Sequence, residues 1–300
     1  MYVILGATGN TGTVVAERLL AKGQKVRVTG RDPERLERFA KKGAEPVVAD
    51  ATDAASLEKA LSGAQAVYAL VPPNLSAPDV LAYSERVVGD LAAAIAKSSV
   101  THVVLLSSFG ADKPDKTGPV AGLHNLENKL SAIARLNALY LRAGYFMENA
   151  LPQAGVIKNM GAMAGPVRGD LLLPMIATRD IGAVAAESLL KLDFQGKSSR
   201  ELLGARDVSY NELAKIVGAA IAKPGLNYQQ APPAALKPVL IQMGMSANFV
   251  DLLLEMCDAL NSGYMKMLEP RSAANTTPTT IETFVTEVFA PAYRGQAAGA

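Results

Sequence analysis

The chain has no tryptophan, one cysteine and two histidines among its 300 residues. The lone Cys257 excludes an intrachain disulfide, and with only His102 and His124 beside it no Cys-His metal spacing can be written. An excess of one charge is missing too: 30 Lys and Arg against 28 Asp and Glu leave +2, which demands neither nucleic acid nor a membrane surface as partner. Long apolar runs are scarce. The longest candidate, Leu91 to Ile95, is alanine-rich and closes at Lys97, far short of the ~18 residues of a membrane span. The opening Met1-Tyr-Val-Ile-Leu-Gly has no basic region and no small-x-small cleavage site, so no targeting signal is read and a cytoplasmic location is expected. What remains is an ordinary globular composition, 49% hydrophobic and 19% charged, which excludes disorder throughout.

Up to about residue 150 short apolar runs alternate with helical patterns. Strands are expected over 2–5, 25–29, 46–49, 66–71, 102–106 and 137–142, and helices over 13–22, 33–42, 53–61, 78–98 and 120–136. The strands are apolar on both faces, as in a parallel sheet covered by helices, so the spacing predicts a doubly wound α/β (Rossmann) fold. Residues 1–150 form the expected dinucleotide-binding domain. Residues 151–300 form a smaller, mostly helical lobe, interleaved with that core and closing over the carboxyl ends of the strands. In the lobe, 151–175 reads as irregular connection and 201–203 as a short strand. Helices are expected over 181–192, 209–222, 234–244, 247–261 and 280–289, followed by a frayed tail over 294–300.

The strongest local signal is Gly6-Ala-Thr8-Gly9-Asn10-Thr11-Gly12, between the first strand and the first helix. Gly6 allows the tight turn, Gly9 the approach of a pyrophosphate, and Gly12 tight helix-on-strand packing. The N-terminus of the helix that follows offers free N–H groups to phosphate, and Thr8, Asn10 and Thr11 of the loop are candidate cofactor contacts with the glycines. At the end of the second strand stands Thr29-Gly30-Arg31-Asp32. An acidic residue there would serve the ribose hydroxyls of NAD, and Asp32 is also placed to cap a helix. Arg31, with Arg35 one turn on, suits the 2′-phosphate of NADP, which the sequence favours.

Gly6 to Gly12, the Arg31 loop, Ala49-Asp50-Ala51-Thr-Asp53, Ser107-Ser-Phe109-Gly-Ala111 and Arg142-Ala-Gly-Tyr145-Phe146-Met147-Glu-Asn149 together resemble the NmrA-like family of atypical short-chain dehydrogenases/reductases. The resemblance continues through Thr178-Arg-Asp-Ile-Gly182 and Pro278 to Phe284. It implies NADPH-dependent reduction of a quinone or dye, or an NADP-binding redox sensor that catalyses nothing and acts through a protein partner. It implies that Asp50 and Ala51 lie by the adenine, that Leu70, Val71 and Pro72 pack beside the nicotinamide-side ribose, and that Tyr145, Phe146 and Met147 border the nicotinamide.

Typical short-chain dehydrogenases carry Tyr-x-x-x-Lys after the fifth strand. Here the corresponding stretch is read as Asn125-Leu-Glu-Asn-Lys129, with the lysine and without the tyrosine. Lys129 is either a ribose-holding residue or an exposed helix lysine. His124 is the candidate acid in the tyrosine's place, its alternative being a backbone-bonded residue at a helix start. Ser107 is a candidate to hydrogen-bond a substrate carbonyl as well as a cofactor contact, its alternative being a hydroxyl that satisfies a strand-end backbone group. Phe109, Tyr145 and Met147, with Phe146, Met160 and Met163, would form an apolar pocket for a flat aromatic or quinone-like substrate, or else core under the lobe. A homodimer is left open, and Cys257 reads as inert packing. An epimerase reading is discounted, because that chemistry leans on the missing tyrosine.

Overall fold

The computed structural model describes residues 1–296, so the last four residues of the expected tail lie outside it. Six strands come from the first half: β1 (Tyr2–Ile4), β2 (Val26–Gly30), β3 (Glu45–Val48), β4 (Ala66–Ala69), β5 (His102–Ser108) and β6 (Asn137–Ala143). A seventh, β7 (Lys197–Leu202), returns from the second half. All pair in parallel, in the order β7-β6-β5-β4-β1-β2-β3. The chain steps outward from β1 to β2 and β3, then crosses back to β4 on the other side of β1, and the crevice outside that reversal is where such sheets take ligands.

The strand interiors carry Val3, Ile4, Val67, Tyr68, Val103, Val104 and Leu141, all fully buried. Helices α1 (Asn10–Ala21) and α2 (Pro33–Ala40) cover one face through Val15, Leu19, Leu36 and Phe39. Helices α3 (Ala54–Leu61), α4 (Val80–Lys97) and α5 (Ala121–Ser131) cover the other through Leu61, Leu91, Ile95, Leu126 and Leu130. Asp32, Asp53 and Asp79 cap α2, α3 and α4 by accepting first-turn N–H groups. Among the described residues no helix is long and apolar enough to cross a membrane.

The stretch 151–175 is not the irregular connection expected. It holds α6 (Gln153–Met160) and the short strands Met163–Gly165 and Met175–Ile176. These strands pair with Tyr228–Gln230 and Tyr145–Phe146, partners distant in the chain, so no local pattern announces them. The Gln153 amide also brackets Ala164, accepting from its N–H and donating to its carbonyl. Strand β7 starts four residues before the expected 201, because Lys197-Ser-Ser-Arg200 lies on a sheet edge and needs no apolar pattern. Helix α5 stops at Ser131, short of 136.

Helix α7 (Thr178–Lys191) joins α1 on its face of the sheet. Helices α8 (Tyr210–Ala220), α9 (Pro233–Gln242) and α10 (Ala247–Asn261) follow β7, and α8 and α10 build a further apolar cluster with Phe284 and Phe289. The final helical stretch, 281–293, widens by a π turn over Val285–Phe289 just before Pro291, which has no N–H to give its ladder.

Helix α10 is pinned to the turn before α5 at Gly118, which lies at φ +56° where a Cβ would stand 2.0 Å from the Leu252 carbonyl oxygen of α10. Gly118→Ala combines a left-handed backbone with a backbone clash, so thermal melting should show a loss of about 2–4 kcal/mol. Gly89→Ala, mid-helix in α4 with nothing within 4 Å of the added carbon, should instead gain about 0.5–1 kcal/mol.

Candidate active site

The loop after β1 turns at Gly6, φ +64°, and its Gly6 carbonyl would lie 2.4 Å from a Cβ on Gly12. The third glycine therefore lets the first turn of α1 rest on the loop. Helix α1 opens on Gly9 with no side-chain cap and no acidic residue in its first turn. Its first N–H groups and positive dipole end face the cleft unneutralised, which is what a phosphate requires.

The loop is trussed from two sides. Tyr68 of β4, fully buried, donates its hydroxyl hydrogen to Thr11 Oγ1 at 2.8 Å. Arg35 of α2 donates to the Thr8 carbonyl at 2.8 Å, and Arg38 to Thr13 Oγ1 at 2.8 Å. Arg35 thus braces the glycine loop, and among the described residues it does not line the cleft beside Arg31. Sequence reasoning missed Tyr68 and Arg38. Tyr68, a hydroxyl in an otherwise apolar central strand, was the available signal.

A cleft of about 440 Å³ lies at the sheet reversal, lined by Gly6, Thr8, Gly9, Asn10, Thr11, Arg31, Asp50, Ala51, Leu70, Pro72 and Phe146 among others. Gly12, buried beneath the loop, does not line it. Asp32 spends its carboxylate on capping α2, accepting from Glu34 N–H at 2.9 Å. Arg31 is exposed at the rim. Hydrogen bonds from the Thr52 N–H and hydroxyl hold the Asp50 carboxyl below its ordinary range, aided by the charges of Arg31 and Arg86. Tyr83 of α4, another residue the sequence did not single out, lines this cleft, and burial followed by the Asp50 charge pushes its phenol up. The fit to a dinucleotide is good: an uncapped helix N-terminus, glycines where side chains would intrude, and a cation at the end of β2.

A second cavity of about 310 Å³ adjoins the first. Leu70, Pro72, Pro73, Tyr83, Leu106 and Phe146 line both, so the two share one wall. Val71, Ser107, Ser108, Val120, Leu123 and Phe249 belong to the second alone. Ser107 Oγ donates to Glu127 Oε1 at 2.6 Å, and Arg142 grips both Glu127 oxygens at 3.1 and 2.5 Å.

The structure turns the other two candidate catalytic residues away. Lys129 pairs with Glu85 at 3.0 Å on the outer side of α5. His124 is held by the Ala111 carbonyl at its Nδ1 and by the Asn128 amide at its Nε2, 2.8 and 2.9 Å away. The Ala111 carbonyl can only accept, so Nδ1 is the donor in that contact. Neither residue lines either cavity. The inward pair one helical turn apart on α5 is Leu123 and Glu127, two residues earlier than the spacing read from sequence.

The expected aromatic pocket is dispersed. Phe146 lines both cavities, but Phe109 and Met147 are buried in the lobe core, with Met163. Met160 is 62% exposed, at the end of α6. Tyr145 shares a hydroxyl contact of 2.9 Å with Tyr210, and burial pushes its phenol up. Cys257 is buried beside this core, its thiol raised by burial to about 12, which leaves it protonated and unreactive. Glu148 accepts from the Thr178 N–H and hydroxyl at 3.0 and 2.6 Å, capping α7 at the cleft wall.

The NmrA-like family model matches residues 2–285. An uncharacterized oxidoreductase YesF of Bacillus subtilis (strain 168) is 26% identical over 266 residues, covering 87% of this chain and 85% of that protein. Among solved structures, an NADPH-dependent quinone oxidoreductase from Escherichia coli superimposes with a TM-score of 0.77 at 23% identity, over 96% of this chain and 100% of that one. The Citrobacter sp. triphenylmethane reductase complexed with NADP(H) gives 0.80 at 19% identity, over 95% and 99%. At these identities the structures share the fold.

Two outcomes follow from the site's supports. Tyr68→Phe removes the hydrogen bond to Thr11 and should cost about 1 kcal/mol in thermal stability, with dinucleotide affinity falling with it. Burial raises the Glu148 carboxyl above its ordinary value of 4.5, with the Thr178 hydrogen bonds opposing. Folding therefore favours its neutral form, and that contribution is lost as pH rises through the raised folded value. Glu148→Gln does not titrate, so melting temperatures should rise relative to the unmodified chain as pH climbs above 4.5. A pH-independent difference would contradict this.

Proposed function

The chain belongs to the NmrA-like family, and from that premise we propose that it is an NADPH-dependent reductase of a quinone-like or other flat conjugated acceptor. The observation that carries the reading is the shared wall: a cleft fit for a dinucleotide opens, past Leu70, Leu106 and Phe146, onto a mainly apolar cavity. Bound NADPH supplies hydride from C4 of its nicotinamide. The glycine loop and the α1 N-terminus hold the pyrophosphate, and Arg31 holds the 2′-phosphate. Arg35 keeps the loop in shape through Thr8. Asp50 and Ala51 border the adenine side, and Leu70, Pro72 and Phe146 position the reacting end against the second cavity. With Lys129 and His124 turned outward, the proton that a quinone takes up comes from water.

A second reading is favoured by one observation. The inward face of α5 presents Leu123, which can neither donate nor accept a proton. That suits an NADP(H)-binding sensor acting through a protein partner.

Because the chain has no tryptophan, bound NADPH emission stands out against a weak protein background. NADPH should bind well ahead of NADH. Arg31→Ala should weaken NADPH about 10–100-fold and leave NADH within about twofold, whereas Arg35→Met should weaken both alike, about three- to tenfold. Oxidation of bound NADPH on adding a quinone or dye supports the reductase. Tight binding with no turnover favours the sensor, and equal binding of the two dinucleotides contradicts both.

A further inference from the structure

We propose that Glu127 sets the hydrogen-bond polarity of the second cavity, making its Ser107 wall an acceptor that selects flat molecules carrying an N–H or O–H donor. The inference rests on the reductase reading and narrows its substrate class.

It follows from where the hydrogens go at the end of β5. Arg142 donates through Nε and one Nη to the two oxygens of Glu127, and the side chains are only 15% and 7% exposed. A buried fork of this kind holds a carboxylate, which accepts and cannot donate. Ser107 Oγ lies 2.6 Å from Oε1, so its only hydrogen is committed to Glu127. Ser108 gives its hydrogen to the Phe109 carbonyl at 3.0 Å. Both serines line the cavity, and both are left with lone pairs alone to offer. Around them stand Leu106, Val120, Leu123, Phe146 and Phe249, which offer no polar side chain; Asn74, Ser84 and Tyr83 are the other polar side chains of the lining. The phenol of Tyr83 stands where the cavity joins the dinucleotide cleft.

A carbonyl oxygen brought to this wall meets oxygen with no hydrogen between them. An amino or hydroxyl edge finds a ready acceptor, strengthened by the charge behind it. A quinone is therefore held with its carbonyls away from Ser107, while an amino-substituted acceptor turns its donor edge toward it. Glu127 acts through Ser107 and is a positioning residue; Arg142 fixes its orientation.

The test uses thionine and methylene blue, flat cationic dyes with one ring system. Thionine carries primary amines where methylene blue carries dimethylamino groups. Affinity for the NADP⁺-saturated full chain is read by calorimetry or dye absorbance, and NADPH-driven reduction is followed separately. The unmodified chain should prefer thionine about tenfold, one charge-assisted hydrogen bond's worth. Ser107→Ala should bring the ratio close to one, and Ser107→Thr should restore it. In the paired variant Glu127→Leu/Arg142→Leu, which leaves no buried charge, the acceptor of the Ser107 hydrogen is gone and the hydroxyl is free to release it into the cavity. The thionine preference should collapse, and menadione, whose carbonyls only accept, should bind about three- to tenfold more tightly. Adding Ser107→Ala to Glu127→Leu/Arg142→Leu should erase that gain, which a merely structural role for Glu127 would not produce.

An unchanged dye ratio in Ser107→Ala, with the fold verified by circular dichroism and melting, overturns the proposal. So does failure of both dyes to bind the unmodified chain. Dye binding with the expected ratios but no NADPH oxidation by any of the three acceptors overturns the reductase reading and leaves the polarity assignment standing.

Discussion

Three segments close up at the head of the sheet where two glycines leave out a side chain, and the rest of the molecule is arranged around that contact. Gly12 lets α1 rest on the carbonyl of Gly6. On the opposite side Gly182 lets α7 press against α1, where a Cβ would stand 2.7 Å from Val14 Cβ and 2.8 Å from the Thr11 carbonyl. The close approach fixes the direction of α1, and with it the aim of its uncapped N-terminus into the cleft. It also carries Thr178, the first residue of α7, to the cleft wall. A side chain at Gly12 or Gly182 would wedge the helices apart and blunt the cleft before touching any ligand.

Polar side chains then stiffen what the glycines leave thin. Tyr68 reaches up from the sheet to Thr11, and Arg35 and Arg38 reach across from α2. On the far side of the shared wall, Arg142, Glu127 and Ser107 form a chain that is buried and fully committed. One end of the crevice is thus rich in N–H donors and the other ends in hydroxyl oxygens. On the proposed reading the first holds phosphates and the second sorts acceptors.

Much of the fold was legible in the sequence because it is written locally. The first six strands, the aspartates that cap α2, α3 and α4, and the glycine loop each show themselves within a few residues. What was not legible depends on partners far along the chain. The strands Met163–Gly165 and Met175–Ile176 exist only against Tyr228–Gln230 and Tyr145–Phe146. The edge strand β7 is polar over Lys197–Arg200 because, among the described residues, no strand of the sheet pairs with its outer side. In the candidate site, Gly6, Thr8 to Thr11, Arg31, Asp50 and Leu70 line one cleft. Lys129 and His124 do not, because motif spacing gives the rotation of a helix only to within a residue or two. On α5 that offset turns Lys129 outward to Glu85 and puts Leu123 and Glu127 inward. Arg35 was assigned to phosphate by its proximity to Arg31, whereas its side chain runs back to Thr8.

The most direct measurement is a crystal structure of the chain grown with NADP⁺. The account predicts the pyrophosphate on the N–H groups of Asn10 and Thr11, the 2′-phosphate against Arg31, and the nicotinamide between Leu70, Leu106 and Phe146, facing a cavity that Ser107 closes. A dinucleotide lying elsewhere, or one whose adenosine end leaves Arg31 in solvent while its nicotinamide is walled off from Ser107, would contradict it.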